Sequence, residues 1–236
     1  MPVDKSSARV RSMFGEIAGR YDLLNHLLSL GIDRRWRRRT VRLAAPQGDR
    51  PILDVCTGTG DLALAYWRAG GRTTPVVGAD FCHPMLLIGR EKCRRAGAEG
   101  HVRLVEADAQ QLPFADGTFQ IVSVAFGLRN LSDTDRGLRE MARVCGAGGR
   151  VAVLEFSMPR WGPLRAFYGW YFRRVLPRVG EAIARNRQGA YNYLPASVGE
   201  FPQDEALAEC LRGAGLARVE LHRLSFGIAT LYVGYQ

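Results

Sequence analysis

Short apolar runs alternate with helical stretches from residue 51 to the end of the sequence, and this alternation constrains the fold more than any other feature. The runs typical of strands are PILDVC, PVVGAD, HVRLVEAD, FQIVSVAF, GRVAVLEF, LARVELHRL and ATLYVGYQ. Stretches between them, such as HPMLLIGREKCRRAG and DTDRGLREMARVCG, have the length and spacing of helices. Strands that alternate with helices in this way predict stacked βαβ units around a largely parallel sheet.

The last two runs are joined only by SFGI, a connection too short for a parallel crossover. They should therefore pair as an antiparallel hairpin. The sequence predicts an α/β fold, a doubly wound, Rossmann-like sheet of seven strands that is mostly parallel and has an antiparallel C-terminal hairpin.

Two segments lie outside this alternation. Residues 1–46 read as helices ahead of the first strand, and residues 157–199 form an insertion before the last helix. The apolar residues at helical spacing in the insertion are Leu164, Phe167, Tyr168, Tyr171 and Val175. We expect one domain over residues 1–236, with the N-terminal helical segment as a lid and the helical insertion as a cap.

Composition excludes several classes of protein. A hydrophobic content of 47% is ordinary for a globular chain. The five cysteines include no Cys-x-x-Cys pair and the four histidines are isolated, so we expect reduced thiols and no metal site. No apolar run is long enough to span a bilayer, and the first residues lack the apolar core of a secretory signal. These features favour a cytoplasmic protein.

The net charge of +10 is concentrated in two segments. Residues 1–50 carry 11 basic and 5 acidic side chains, and residues 160–187 carry 7 and 1, so each segment has a net charge of +6. Residues 51–159 are neutral, with 12 of each. The stretch GIDRRWRRRT alone contains five arginines around one tryptophan. Such segments attract phosphates, whether of a membrane surface or of nucleic acid.

The turn after the first strand predicts a ligand site. In DVCTGTGDLA, Gly58 and Gly60 permit a tight turn and the close approach of a ligand, and the match to G-x-G-x-x-A is that of nucleotide-type sites. The next strand ends in Asp80, where a carboxylate can accept hydrogen bonds from both hydroxyls of a ribose. A dinucleotide and S-adenosylmethionine both fit these positions.

Acidic residues around this turn favour S-adenosylmethionine. Asp54 and Asp61 would repel a pyrophosphate but attract the ammonium group of a methionine moiety. The third strand ends at Asp108 and Ala109, where an adenine edge can meet a carboxylate and a backbone amide. A turn or cap role is the structural alternative for Asp108.

The motifs DVCTGTGDLAL, GADFCHPML, EADAQQLPFADGTFQIVSVAFGLRN and RVCGAGGRVAVLEFS resemble those of class I S-adenosylmethionine-dependent methyltransferases. The N-terminal MFGEIAGRYDLLNHLLSLGIDRRWRR and FGLRN are similar to the UbiE/MenG family of quinone-biosynthesis C-methyltransferases. This resemblance implies cofactor contacts at Thr59 in the glycine loop, at Asp80 and at Asp108 with Ala109. The loop reads Cys-Thr-Gly, as in menaquinone-type members. Ala125 occupies a position where some members have a contacting serine.

The resemblance implies methylation of a ring carbon of a polyprenyl quinol, most directly demethylmenaquinol to menaquinol, with a ubiquinone-type benzoquinol as the alternative. Arg129 is the candidate to stabilise a phenolate. Tyr21, Asp22 and His26 are candidates for a base or for orienting the ring. A structural ion pair is the alternative role for Arg129, and a surface position is the alternative for His26.

A polyprenyl quinol resides in the membrane, so the implied enzyme would reach it peripherally from the inner face. The basic segments suit anionic headgroups, and the aromatics expected at the interface are Trp36, Trp161, Trp170 and Tyr171. An RNA methyltransferase is a rival, although no RNA-binding module is recognisable and no nucleic-acid partner is expected. A non-catalytic cofactor-binding or membrane-adaptor protein and a nicotinamide-dependent oxidoreductase are the other rivals. A homodimer through the insertion is compatible with the sequence.

Overall fold

The computed structural model of the protein describes residues 3–29, 31–175 and 190–236. These ranges contain one sheet of seven strands in the order β3-β2-β1-β4-β5-β7-β6. The strands are β1 (Ile52–Val55), β2 (Val76–Asp80), β3 (Val102–Glu106), β4 (Phe119–Ala125), β5 (Cys145–Phe156), β6 (Arg218–Leu224) and β7 (Ala229–Tyr235). The first five pair in parallel, whereas β7 is antiparallel to both β5 and β6. The predicted α/β fold and its C-terminal hairpin are confirmed.

Helices lie on both faces of this sheet. Within the described ranges they are α1 (Ser7–Ile17), α2 (Tyr21–Leu28), α3 (Ile32–Leu43), α4 (Asp61–Ala69), α5 (His83–Ala96), α6 (Thr134–Val144), α7 (Gly162–Trp170), α8 (Ala190–Glu200) and α9 (Glu205–Gly213). Leu62 and Leu86 of α4 and α5 pack on one face, while Leu138 and Leu211 of α6 and α9 belong to the core of the other. Strand β1 is buried along its whole length, as expected for a central parallel strand.

The N-terminal segment packs against the carboxyl end of the sheet and against the insertion. Met13 and Ile17 of α1 form a cluster with Phe172 and Tyr193, which lie in the insertion. The described part of the insertion is helical from Gly162 onward, whereas residues 157–161 are not helical. The helical part consists of α7, a π-helical turn over Tyr171–Val175, and α8. The predicted insertion spans residues 157–199, and its residues 176–189 lie outside the described ranges.

Trp36 was predicted to lie at the surface, but it is buried. The reason is that α3 is amphipathic and Trp36 lies on its apolar face. Its side chain is only 5% exposed and packs beside β5 and β7 with Leu154 and Leu231. The indole Nε1 donates a hydrogen bond to Ser225 Oγ at 2.9 Å. The exposed arginines of α3 are Arg34, Arg35, Arg38, Arg39 and Arg42. No helix in the described ranges is both long and apolar enough to cross a lipid bilayer.

Candidate active site

A first cavity lies where β1, β2, β3 and β4 end at the carboxyl edge of the sheet. Ligands of doubly wound folds bind at this edge. Four of the residues predicted to contact the cofactor, Gly58, Asp80, Asp108 and Ala109, line it. The other lining residues include Phe14, Tyr21, Cys56, Phe81, Met85, Gln110, Phe126, Asn130 and Leu131. Strand-end positions in the sequence therefore converge on a single pocket.

Asp80 is held rigidly in this cavity. Its Oδ2 accepts a hydrogen bond from the Gly58 amide and its Oδ1 one from the Cys82 amide, each at 2.8 Å. Burial raises the pKa of Asp80, and the backbone amides act in the opposite direction by stabilising the carboxylate. Asp108 accepts from the Gln110 amide at 2.9 Å. Both carboxylates are thus oriented by main-chain donors.

The chemistry of the lining fits a positively charged ligand that also carries an aromatic ring. Two carboxylates and no lysine or arginine line the first cavity in the part of the chain that the structure describes. A dinucleotide pyrophosphate would be repelled there, whereas a sulfonium and an ammonium group would be attracted. Phe81, Met85 and Leu131 supply apolar surface for a base. Asn130 Oδ1 is buried without a hydrogen-bond partner and offers an acceptor.

Asp54 is hydrogen-bonded to Thr57 at the start of the glycine loop and does not line the first cavity. Its carboxylate accepts hydrogen bonds from Thr57 Oγ1 at 2.6 Å and from Ser123 Oγ at 2.8 Å. Burial raises the pKa of Asp54 from 3.8 to about 6. The loop above it bends through positive φ angles at Gly58 (+55°) and Gly60 (+79°). Direct contact of Asp54 with the methionine ammonium is therefore not the arrangement seen here.

Thr59 and Asp61 face away from the first cavity and join the loop to the N-terminal helices. Thr59 Oγ1 donates to Asp22 Oδ1 at 2.6 Å, and Lys92 Nζ lies 2.9 Å from Asp22 Oδ2. Lys92 also pairs with Asp61, whose other oxygen lies 3.4 Å from Arg37 of α3. We call Asp22, Thr59, Asp61, Lys92 and Arg37 the loop–helix cluster. Burial acts to raise the pKa of Asp61, but Arg37 and Lys92 outweigh it and the pKa is lowered. The carboxylate predicted to attract the cofactor is instead neutralised by protein cations.

A second, larger cavity of about 310 Å³ lies between the N-terminal helices and the insertion. It is lined mainly by aromatic and aliphatic side chains, and we call it the apolar cavity. Its lining includes Met13, Phe14, Ile17, Tyr21, Asn25, Ile32, Trp36, Phe126, Arg129, Phe156, Phe167, Tyr168, Phe172 and Ile228. A cavity of this size and character suits a bulky, mostly apolar ligand.

Three aromatic residues line both cavities and form the wall between them: Phe14, Tyr21 and Phe126. Phe126 adopts a φ of +60°, which is rare for a bulky side chain. Its amide donates to the Leu154 carbonyl at 2.8 Å, and its ring centroid lies 4.4 Å from that of Phe156. Such strain concentrates at functional positions. A group bound in one cavity can therefore approach a group bound in the other across these rings.

The two faces of α2 separate Tyr21 from His26. Tyr21 and Asn25, one turn apart, line the apolar cavity. Burial raises the pKa of Tyr21, so its hydroxyl stays protonated and serves as a donor. His26 lies on the neighbouring face with its Nδ1 3.3 Å from Asp33 Oδ1, and it lines neither cavity. His26 therefore lies outside both cavities, and a role for it as the base stays a prediction.

Arg129 forms the ion pair considered as its structural role and also lines the apolar cavity. Its guanidinium pairs with Glu155 at 2.7 Å, and both side chains are buried. The same guanidinium lies 5.4 Å from the centroid of the Phe156 ring and lines the apolar cavity. Its Nε is buried without a hydrogen-bond partner. Because an unpaired buried donor is costly, Arg129 has the capacity to bind an oxygen atom of a ligand.

Sequence reasoning did not assign roles to Phe14, Phe126 and Asn130. Phe126 and Asn130 belong to the FGLRN motif, from which only Arg129 was chosen as a candidate. Their position at the end of β4, beside the glycine loop, is the signal that identifies them. Phe14 lies on α1, and nothing in its local sequence indicates that α1 packs beside the first cavity at the carboxyl edge of the sheet.

Comparison with known proteins identifies the family of this chain. The model of the ubiE/COQ5 methyltransferase family matches residues 3–236. The demethylmenaquinone methyltransferase of Thermus thermophilus is 52% identical over 223 residues, which are 94% of this chain and 99% of that protein. The ubiquinone/menaquinone biosynthesis C-methyltransferase UbiE of Geobacter sp. strain M21 is 43% identical over 98% of both chains.

Solved structures support the fold independently of sequence. The [4+2]-cyclase SpnF aligns with a TM-score of 0.69 at 16% identity, over 100% of this chain and 96% of that one. An S-adenosylmethionine-dependent methyltransferase of Thermotoga maritima aligns with a TM-score of 0.65 at 17% identity, over 95% and 98%. The fold of class I methyltransferases and the family match over almost the whole chain lead to one conclusion: the chain belongs to the ubiE/COQ5 methyltransferase family and is an S-adenosylmethionine-dependent methyltransferase.

Proposed function

We propose that the protein transfers the methyl group of S-adenosylmethionine to a ring carbon of a polyprenyl quinol, converting demethylmenaquinol to menaquinol. The observation that carries this proposal is the wall of Phe14, Tyr21 and Phe126 shared by the acidic first cavity and the apolar cavity. The name of the Thermus relative supports the naphthoquinol substrate. The UbiE relatives keep the corresponding benzoquinol of ubiquinone biosynthesis as the alternative.

The first cavity would hold the cofactor, whose sulfonium supplies an electrophilic methyl group. Asp80 and Asp108 line this cavity. In the proposal, Asp80 accepts hydrogen bonds from the ribose hydroxyls and Asp108 accepts one from the adenine amino group. Gly58 suits this loop because its φ of +55° favours glycine, and the loop backbone carries no side chain at this position. The net negative lining stabilises the positive charge of the bound cofactor before the reaction.

The apolar cavity would hold the quinol ring against the shared wall. Methyl transfer needs the ring carbon in line with the sulfur–methyl bond, at roughly 3–3.5 Å from the methyl group. Aromatic side chains on both sides of the cavity restrict the tilt of a planar ring and exclude water. Excluding water also protects the sulfonium from a competing nucleophile.

Arg129 and Tyr21 would stabilise the negative charge that develops on a quinol oxygen. A quinol ring carbon becomes nucleophilic as a neighbouring hydroxyl loses its proton, and negative charge then develops on that oxygen. The unpaired Nε of Arg129 and the protonated hydroxyl of Tyr21 are donors suited to that oxygen. After the new carbon–carbon bond forms, the ring proton moves to that oxygen, which restores both the aromatic ring and the hydroxyl, so that one proton is released overall.

The same proposal includes peripheral contact with an anionic membrane surface on the inner face, because the quinol tail lies in the bilayer. Exposed arginines of α3 and the basic insertion supply the positive charge. The neutral centre of the chain and the aromatic cavity favour this membrane partner over nucleic acid. A non-catalytic membrane adaptor would need neither an acidic cofactor cavity nor a strained shared wall.

The test is methyl transfer from labelled S-adenosylmethionine to reduced short-tail demethylmenaquinol in detergent, beside the matching benzoquinol. Label in the naphthoquinol product is the expected result. Label only in the benzoquinol would reverse the choice of pathway. If S-adenosylhomocysteine bound tightly but neither quinol were methylated, the proposal would fail and the adaptor and RNA alternatives would return.

A further inference from the structure

Four exposed aromatic side chains occur in two neighbouring segments of the protein. Six large apolar side chains are exposed in the described ranges, and two of them, Leu23 and Leu87, are aliphatic residues of α2 and α5. The four aromatic ones are Trp161, Phe167, Trp170 and Phe226, with exposures of 66%, 62%, 53% and 87%. Three belong to α7 and the residue before it, and the fourth to the turn between β6 and β7. We call these four residues the aromatic rim.

Hydrogen bonds join the two segments of the rim. Ser157, just after β5, donates from its hydroxyl to the Gly227 carbonyl at 2.8 Å and from its amide to the Ile228 carbonyl at 3.0 Å. The turn that carries Phe226 is thereby fixed beside the chain that leads into α7. Phe167 and Trp170 are also in contact, with ring centroids 6.0 Å apart. The rim is therefore part of the rigid fold.

Phe226 is held outward at a cost to the protein. Its φ is +59°, a conformation that suits glycine or asparagine far better than phenylalanine. Its ring is also the most exposed large apolar side chain of the described ranges. Neither backbone strain nor exposure of an aromatic ring benefits the isolated fold. Burial of this ring against a partner outside the chain would offset both the strain and the exposure.

The rim borders the mouth of the apolar cavity. Phe167 belongs to the rim and lines that cavity, and Ile228, two residues after Phe226, lines it as well. Trp36, another lining residue, donates a hydrogen bond to Ser225, which lies in the turn that carries Phe226. A partner that covers the rim would thus be in contact with the entrance through which an apolar ligand passes.

Charge distinguishes between the partners that could cover an aromatic surface. The rim is carried by a segment whose residues 160–187 have a net charge of +6, and Arg165 is exposed within α7. A symmetric dimer through this face would bring two such segments together and be opposed by their repulsion. An anionic bilayer instead provides acyl chains for the rings and negative headgroups for the arginines.

We infer that the aromatic rim inserts into the headgroup–acyl boundary of an anionic bilayer and places the mouth of the apolar cavity at the level of the lipid tails. This inference rests on the proposed function for its substrate but assigns the contact to four named side chains. It predicts that Trp161, Trp170 and Phe226 govern membrane affinity and delivery of the substrate without altering the methyl-transfer site. Phe167 differs from these three because it also lines the apolar cavity.

The experiment measures binding to vesicles of phosphatidylglycerol and phosphatidylcholine by sedimentation. Phe226→Asn and Trp161→Ala are each expected to lower the partition coefficient about tenfold, in keeping with the free energy of burying one large apolar side chain. Leu87→Ala is the matched control, because it removes an exposed apolar side chain away from the rim and should leave binding unchanged. Phe226→Asn should also be at least as stable as the original protein, because asparagine tolerates the positive φ.

Activity separates this inference from the proposed function. Phe226→Asn should methylate a short-tail quinol in detergent at the original rate but a long-tail quinol in vesicles more slowly. Vesicle binding unaffected by both rim variants would overturn the inference even if methylation is observed. So would a concentration-dependent dimer, seen by light scattering, that the rim variants abolish without a change in vesicle binding. Rim-dependent vesicle binding without any methylation would sustain the rim and refute the proposed function.

Discussion

The buried carboxyl group of Asp54 contributes stability that decreases as the pH rises. Burial raises its pKa from 3.8 to about 6 in the folded state, and the unfolded chain restores the ordinary value. The folded protein therefore binds the proton more tightly than the unfolded chain does. The stabilisation is fully present below about pH 4 and is lost as the pH rises through about 6.

The magnitude follows from the difference between the two pKa values. A difference of this size corresponds to about 3 kcal/mol in the free energy of unfolding. Asp54→Asn is the isosteric change that removes the charge. The hydroxyls of Thr57 and Ser123, which now donate to the carboxylate, can rotate so that one donates to the new amide oxygen and the other accepts from its nitrogen.

Urea unfolding of both proteins across the range of about pH 4 to about pH 8 tests the reasoning. The variant is expected to match the original protein at the acidic end and to exceed it by up to about 3 kcal/mol at the alkaline end. Using the difference between the two proteins cancels the titration of other groups. A constant difference across the whole range, or a variant that is less stable at the alkaline end, would refute the account of Asp54.

Four further changes test the two cavities and the contacts around them. Asp80→Ala should weaken S-adenosylhomocysteine binding, measured by calorimetry, by about 1.5–3 kcal/mol for each lost hydrogen bond to the carboxylate; unchanged affinity would remove Asp80 from the cofactor site. Asp22→Asn should raise KM for the quinol more than it weakens cofactor binding, with at most about 1 kcal/mol of stability lost because the pair with Lys92 is partly exposed. Arg129→Met should cost about 3–5 kcal/mol in thermal or chemical unfolding by leaving a buried carboxylate unpaired. Changing its partner as well, with Glu155→Leu, should restore stability but not turnover, whereas restored turnover would limit Arg129 to a structural role. His26→Ala should retain kcat in the detergent assay, and a loss of several orders of magnitude would reinstate it as a catalytic group.

The fold was predictable because its signals are local. Each strand is marked by its own apolar run, and the connection of four residues before β7 allows only an antiparallel pairing. Asp80 and Asp108 were predictable for a related reason, since the carboxyl ends of parallel strands meet at one edge of the sheet. Position along the strand was sufficient to place both carboxylates in the first cavity.

Which face of a helix meets which neighbour was much less predictable. His26 and Asp61 occur at suitable positions in sequence but face other elements, because a small rotation about a helix axis decides between a cavity and an ion pair. Trp36 is different, since a usable signal was present. Ile32, Trp36 and Thr40 recur every four residues and predict one buried face of α3, although the flanking arginines suggested a surface position.

The order in which the protein can fold follows from the attachment of its N-terminal helices. Trp36 is bonded to a residue 189 positions further along the chain, and Asp22 to one 70 positions away. Contacts of such separation close large loops and form late. During synthesis, α3 is made before β6 and β7, so it can form its contact with the turn between them only after both strands have been made. The pocket proposed to hold the quinol is completed only when the whole chain is present, so a shortened chain that lacks β6 and β7 would lack an enclosed pocket even if its cofactor loop were formed.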